Sequence, residues 1–235
     1  MLAFQYHPEI IKRYPNISGG VILAHALKNN PSSAALKQIY FDEQQAAIAR
    51  IGSQPLSELE SLAAWRAAFR DFGVNPTKYR SAVEALLRRL TKKGDIPSIN
   101  AIVDICNLIS IRYQVPVAAF DARHLKGPIT VQFASGDENF TPLFEKVPEH
   151  PEVGEVIFAD DAKLVVARRW CWRQSDESAT RQDTTDAVFT IEAQHPNNQE
   201  YIQAALADLL ELLQTNVGGM FLTGVTGPQN PTVTE

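Results

Sequence analysis

A chain of 235 residues is long enough to bury a substantial core, as one large domain or two small ones. A hydrophobic fraction of 45%, a charged fraction of 21% and a formal net charge of −5 are ordinary for a soluble globular protein, and they argue against a general nucleic-acid or DNA binder that works through bulk positive charge. No apolar run approaches the roughly 18 residues of a membrane span.

Met1 to Pro15 lacks a charged region followed by an apolar one, so no signal peptide is expected. The two cysteines, Cys106 and Cys171, make no disulfide framework and suit a reducing, cytoplasmic setting. The acidic balance still leaves room for a local basic patch that holds one RNA end.

Residues 1–50 read as a small opening unit. Gly19-Gly20 leads into a strand from Val21, N-N-P-S-S carries helix-start chemistry, and the text from Ala34 to Arg50 is helical. From Leu56 to Phe72 the spacing of Leu62, Trp65, Phe69 and Phe72 predicts a helix whose aromatic face is core rather than a ligand-stacking surface. Gly73 suits its C-terminus and Pro76 prevents its resumption.

Ser81 and Glu84 form a capping-box pattern at the head of the next helix. That helix ends in Arg88, Arg89, Lys92 and Lys93 before Gly94, and cations there complement the helix dipole, so a solvated basic face is favoured over an RNA contact. Ile96 to Gly127 predicts a buried helix carrying Asp104 and Asn107, a break at Pro116, a short strand and a turn after Asp121. Strands follow at I-T-V-Q-F-A, E-V-I-F-A-D, L-V-V-A-R-R-W and A-V-F-T-I-E-A, then a long helix from Glu200 to Thr215 with an apolar stripe. Residues after Gly218, rich in Gly, Thr and Pro, are expected to form a loose tail. The fold class is mixed α/β: helices in front, a mostly antiparallel sheet behind, and a helix closing over it.

Several residues invite a chemical reading. Asp104 and Asn107, three apart, share one helix face; they either satisfy local backbone groups or present a polar pair to a ligand. Cys106, among isoleucines, reads as an inert core thiol. Asp121 ends an apolar strand, where an acid can cap the following turn. Glu192 inside a strand either faces water or holds a cation, and taken alone water is favoured. In R-R-W-C-W-R a continuous strand would set Trp170 and Trp172 on one face. Arg168, Arg169 and Arg173 beside indoles suit phosphate contact and base stacking, and equally suit tryptophans in the core with arginines outside. The five histidines have no ligand spacing, and no phosphate-binding or nucleophile-elbow motif occurs, so neither a metal nor a cofactor is expected.

P-x-I-N-A-I-V-D-I-C-N, then P-V-A-A-F-D, L-K-G-P-I-T-V-Q-F-A, G-D-E, V-I-F-A-D and T-T-D-A-V-F-T-I-E resemble, in order and spacing, the tRNA-binding and editing module (the B3/B4 domain) of the phenylalanyl-tRNA synthetase beta subunit. The match runs from about Lys92 to Ala193. The front segment, W-R-A-A-F-R-D-F-G-V-N-P-T-K-Y-R-S-A-V-E-A-L-L-R-R, looks like the extension of free-standing members. No aminoacylation domain lies within these residues.

The resemblance implies a B3/B4-like domain over residues 1–217, with a mostly helical extension at 1–90, an editing-like core at 91–217 and a tail at 218–235. It implies hydrolysis, in trans, of the ester of a mischarged aminoacyl-tRNA, with the aminoacylated 3′ end of tRNA as partner. The alternative is a non-catalytic module that binds RNA or a small molecule in the same pocket. Carried over by position, Asn107 lines the pocket, Glu192 receives the amino acid, and Cys106 stands where threonine is frequent. Within the same scheme, on the composition of R-R-W-C-W-R rather than by family position, Trp172 flanks the substrate beside Pro116 and Ala118, and Arg168, Arg169 and Arg173 meet RNA. Asp104, Pro116 and Asp121 match motif positions of structural role. Two departures stand out: Ala118 replaces the family histidine, and the bulky R-R-W-C-W-R-Q-S replaces a small glycine-rich pocket loop. That loop is expected to narrow or reshape the pocket.

Overall fold

The apolar strands collect into two sheets rather than one. The structure, a computed structural model, describes all of residues 1–235. In chain order the elements are β1 (Ala3–Tyr6), α1 (Pro8–Arg13), β2 (Ser18–His25), α2 (Ala34–Ile51), a 3-10 turn at Leu56–Glu58, α3 (Glu60–Asp71), α4 (Ala82–Lys93) and α5 (Ala101–Tyr113). Then come β3 (Val117–Asp121), β4 (Ile129–Phe133), β5 (Val156–Ala159), β6 (Val165–Arg168), β7 (Arg173–Gln174), β8 (Ala187–Ala193), α6 (Gln199–Asn216), β9 (Met220–Thr226) and β10 (Thr232–Thr234).

One sheet has the order β10-β1-β4-β5-β6-β7, and the other β3-β8-β2-β9. All pairings are antiparallel except β1 with β4. The result is the mixed α/β fold with mostly antiparallel sheets and flanking helices that the sequence predicts.

The inner strands β2 and β8 of the four-stranded sheet are covered on both faces, so every residue of β8 is buried, Thr190 and Glu192 included. One face packs under α5 and α6, with Phe189 and Ile191 against Ile105, Ile109, Leu206 and Leu209. The other meets the six-stranded sheet, where Phe120 and Val188 join Phe4, Phe158 and the aromatic face of α3. That α3 face is core, as expected: Trp65 and Phe69 are fully buried, and Trp65 meets Trp170 edge-on at 5.2 Å.

Three expectations change. The stretch after Gly218 is no loose tail. β9 pairs with β2 over its whole length, and β10 pairs with β1, because β2 and β1 each present an unsatisfied edge that only the C-terminal segment reaches. Residues 1–90 are likewise no mere helical appendage, since β2 is an interior strand and β1 lies inside the six-stranded sheet. The capping box at α4 is half made. Ser81 accepts from the Glu84 N–H at 3.4 Å, but the Glu84 carboxylate turns to Arg66 at 2.8 Å, where a full charge outcompetes a backbone donor.

Candidate functional site

Helix α5 starts where its sequence says. The Asn100 side chain accepts from the Val103 N–H at 3.0 Å as N-cap. Asp104, fully buried, accepts from the Ser32 hydroxyl at 2.6 Å, from the Ile99 N–H at 2.8 Å and from the Ser98 hydroxyl. Those bonds tie the loop before α5 to the loop before α2. Asp104 is therefore saturated and structural. Asp121 is too, gripped by the Arg123 guanidinium and capped by Thr184, with the Arg123 N–H closing the expected turn.

Asn107, one turn beyond Asp104, lines a cavity of about 150 Å³, with the buried Tyr40 hydroxyl beside its amide. The same cavity takes Cys106 from α5, Pro116, Val117, Ala118 and Ala119 from the start of β3, and Glu192 from β8. It also takes Trp170, Trp172, Arg173 and Gln174 from the segment joining β6 to β8. The site thus sits at the free edge of β3, where α5 covers one face of the four-stranded sheet and the six-stranded sheet covers the other.

Glu192 is the electrostatic centre. Its carboxyl is 2% exposed, and its Oε1 accepts from the Tyr6 hydroxyl at 2.8 Å and the Trp170 indole at 3.1 Å. The Oε2 has no partner within the protein and borders the cavity. Burial raises the Glu192 pKa to about 7, against a smaller downward pull from Trp170 and Tyr6. Tyr6 reaches it because Glu192 pairs across the sheet with Gly19, where a Cβ would stand 2.7 Å from the Tyr6 hydroxyl. Cys106 stays an unreactive thiol, its pKa pushed up to about 12 by burial.

The R-R-W-C-W-R segment is not the continuous strand that alternation suggests. Arg169 and Trp170 both adopt left-handed backbone, φ +47° and +60°, and turn the chain between β6 and β7. Consequently the two tryptophans part. Trp170 is fully buried against Tyr14, Trp65 and Phe72, while Trp172 stays half-exposed at the cavity mouth.

The arginines part as well. The Arg168 guanidinium is buried and held by Glu155 at 2.8 Å and Glu149 at 2.5 Å, a neutralised pair that faces inward. Arg169 is buried beneath Tyr79 (3.9 Å to the ring centre) and Trp172 (4.5 Å). Arg173, over Trp172 at 4.6 Å, is the exposed cation of the three. Sequence reasoning missed Tyr6, Gln174 and Tyr79. The A-F-Q-Y alternation before Pro8 could have shown a strand carrying Tyr6, but nothing in the text around Tyr79 points to Trp172.

With this geometry in view, the comparisons are specific. The family model described as the B3/4 domain matches residues 64–216, and the chain belongs to that family. It is similar to the phenylalanine–tRNA ligase beta subunit of Fusobacterium nucleatum, 35% identical over 92 residues, covering 39% of this chain and 11% of that protein. The corresponding subunit of Chromobacterium violaceum is 40% identical over 80 residues, covering 34% of this chain and 10% of that protein. The chain therefore spans about a tenth of the length of these curated relatives. A solved N-terminal fragment of the phenylalanyl-tRNA synthetase beta subunit from Pyrococcus horikoshii aligns with a TM-score of 0.48 at 12% identity, over 94% of this chain and 50% of that one. The matched range takes in Trp65, α4 and all of α6, beyond the Lys92 to Ala193 span legible from motifs.

Proposed function

We propose that the protein hydrolyses, in trans, the ester joining a wrong amino acid to the 3′ end of a tRNA. The observation that carries this is the unpartnered Glu192 Oε2 at the wall of a cavity that Asn107 lines from the facing helix. The α-ammonium of the amino acid meets Oε2, and Asn107 orients the ester carbonyl or the attacking water. The water oxygen bonds to the carbonyl carbon, the carbon–ribose oxygen bond breaks, and the water proton ends on the leaving ribose oxygen. Such an ester is labile, so holding it and one water in line suffices without a dedicated nucleophile. Arg173 and Trp172 at the mouth serve the terminal phosphates and a base, with Arg169 bracing Trp172 from beneath. Arg168, committed to Glu155 and Glu149, has no part in RNA contact.

A second reading, a non-catalytic module that binds tRNA or a small molecule, is favoured by two observations. The cavity has no histidine, since Ala118 lines it where the resembled family has one. Trp170 also fills space that a small pocket loop would leave open. Deacylation of a panel of mischarged tRNAs separates the two. The enzyme reading expects at least one ester cleaved ten times faster than in buffer and that gain lost in Glu192→Gln. Binding without cleavage of any ester leaves the binding module.

A further inference from the structure

The cavity is lined by consecutive residues of one strand, Val117 to Phe120, and by Pro116 just before it. Side chains of a strand alternate between faces, so an unbroken run of lining residues means that the strand's backbone edge itself borders the space. β3 is an edge strand whose strand partner is β8, and on its outer side a single bridge from Phe120 to Ala179 covers the far end. In the antiparallel register the Glu192 N–H donates to the Pro116 carbonyl and the Ala122 N–H to the Asp186 carbonyl. Pro116, Ala118, Phe120 and Ala122 thus aim their backbone groups at β8, and Val117, Ala119 and Asp121 aim theirs away from it.

The outward groups at the far end are used. The Asp121 N–H donates to the Ser178 carbonyl at 2.9 Å, and the Ala119 carbonyl accepts from the Gln174 amide at 2.8 Å. Three groups remain along the cavity: the Val117 N–H, the Val117 carbonyl and the Ala119 N–H, a donor–acceptor–donor row with no partner in the chain.

This row lies between the two walls already described. Glu192 stands on one face of the four-stranded sheet and α5, with Asn107, covers the other, so a ligand that touches both must cross the edge of β3. The side chains flanking the row at Ala118 and Ala119 are methyl groups, which lets a flat ring come up to the backbone.

We propose that the β3 edge reads the nucleobase of the RNA end: the Val117 carbonyl accepts from the exocyclic amine of a terminal adenine, and the Ala119 N–H donates to its N1. Adenine presents a donor beside an acceptor on that edge, which fits a carbonyl followed by an N–H on the same side of a strand. Guanine presents an acceptor and a donor in the reverse order and places like groups together. The assignment rests on the proposed RNA substrate, and it gives the site a base preference that no side chain encodes. Gln174 sets the end of the row by occupying the Ala119 carbonyl.

The test varies the ligand, so that it does not depend on a variant folding. Binding of the trinucleotide CCA is measured by titration calorimetry or Trp172 fluorescence. It is compared with CCG, with CCA carrying 1-deazaadenosine at the 3′ end, and with CCA carrying N6,N6-dimethyladenosine there. The expected result is that the 1-deaza and dimethylated ends each bind about tenfold more weakly, since each loses one of the two bonds, and that CCG, which loses both, binds at least as weakly as either. In a second arm, Ala119→Pro removes an N–H that β8 does not use, a change an edge strand tolerates; it is expected to weaken CCA and to bind the 1-deaza end no worse than CCA. Equal affinity for all four trinucleotides, or no binding of CCA at millimolar concentration, overturns the base-reading edge. Ester cleavage by the wild type, scored separately, still stands or falls by itself.

Discussion

Two buried carboxylates one wall apart, Asp104 and Glu192, are almost equally withdrawn from water and differ in every other respect. Asp104 receives three donors spread over both oxygens and ties two loops together. Glu192 receives two donors on a single oxygen and leaves the other facing a cavity. A buried acid with all its acceptor capacity filled is part of the frame, and one with half of it filled is available to a ligand. The motif text around the two residues does not show this difference, because it is made by donors that arrive from Ser32, Ser98, Tyr6 and Trp170.

The largest expected effect lies on the frame side. Arg168→Ala takes from the buried Glu155 its two-point guanidinium partner and leaves it the Arg169 N–H and the more distant Arg169 side chain. Asp104→Ala leaves two hydroxyls and an N–H without their acceptor. Each is expected to cost about 3–5 kcal/mol in denaturant unfolding. A loss below 1 kcal/mol for Asp104→Ala would place it among the available residues and erase the contrast.

On the site side, Glu192→Gln is expected to alter the pH dependence of stability. The folded pKa of about 7 lies above the ordinary carboxylate value of 4.5. Its contribution is therefore fully present below about pH 4.5 and is lost as pH rises through 7, a change on the order of 3 kcal/mol across that window. Urea unfolding at pH 5 and pH 8 should show the wild type losing this stability and Glu192→Gln keeping it. An unchanged profile in the variant removes Glu192 as the titrating group. In the functional reading the same ionisation strengthens the grip on an α-ammonium, so any ester cleavage should rise from pH 6 toward 7.5.

Tyr6→Phe sharpens the contrast with a smaller change. Loss of one of the two donors to Oε1 pushes the Glu192 pKa further up, and the stability profile shifts toward higher pH with it. The smallest effect on stability, within about 0.5 kcal/mol, is expected for Arg173→Ala at the exposed mouth. That variant should nevertheless weaken RNA binding and flatten its salt dependence by about one phosphate contact. A large stability loss with RNA binding intact would move Arg173 from the mouth to the frame.

Much of the fold was legible because local rules and tertiary packing agree. Ser33, Asn100 and Gly94 mark helix ends where they occur, Pro116 separates α5 from β3, and the α3 aromatics sit in the core their spacing predicts. The site was legible only in part. Asn107, Cys106, Pro116, Ala118, Trp172, Arg173 and Glu192 do share one cavity, whereas Arg168 and Arg169 point into the protein. Alternation in R-R-W-C-W-R implied a strand, but the left-handed backbone at Arg169 and Trp170 broke it. Neither residue type advertises that conformation. It holds because Trp170 gains a buried aromatic nest and a carboxylate partner that outweigh local strain of about 1–3 kcal/mol.

The sequence by itself determined the helices from α2 onward, most strands, the family and many of the residues that gather at the edge of β3, since periodicity, caps and ordered motifs are local properties of the chain. Tertiary structure alone decided that the C-terminal stretch completes both sheets. It also decided that Tyr6 meets Glu192 across 186 positions of chain, and that one tryptophan is core while its near neighbour is surface. Those outcomes depend on which donor, edge or apolar face happens to arrive opposite a residue. Burial and hydrogen-bond satisfaction belong to pairs of segments, and no single segment carries them.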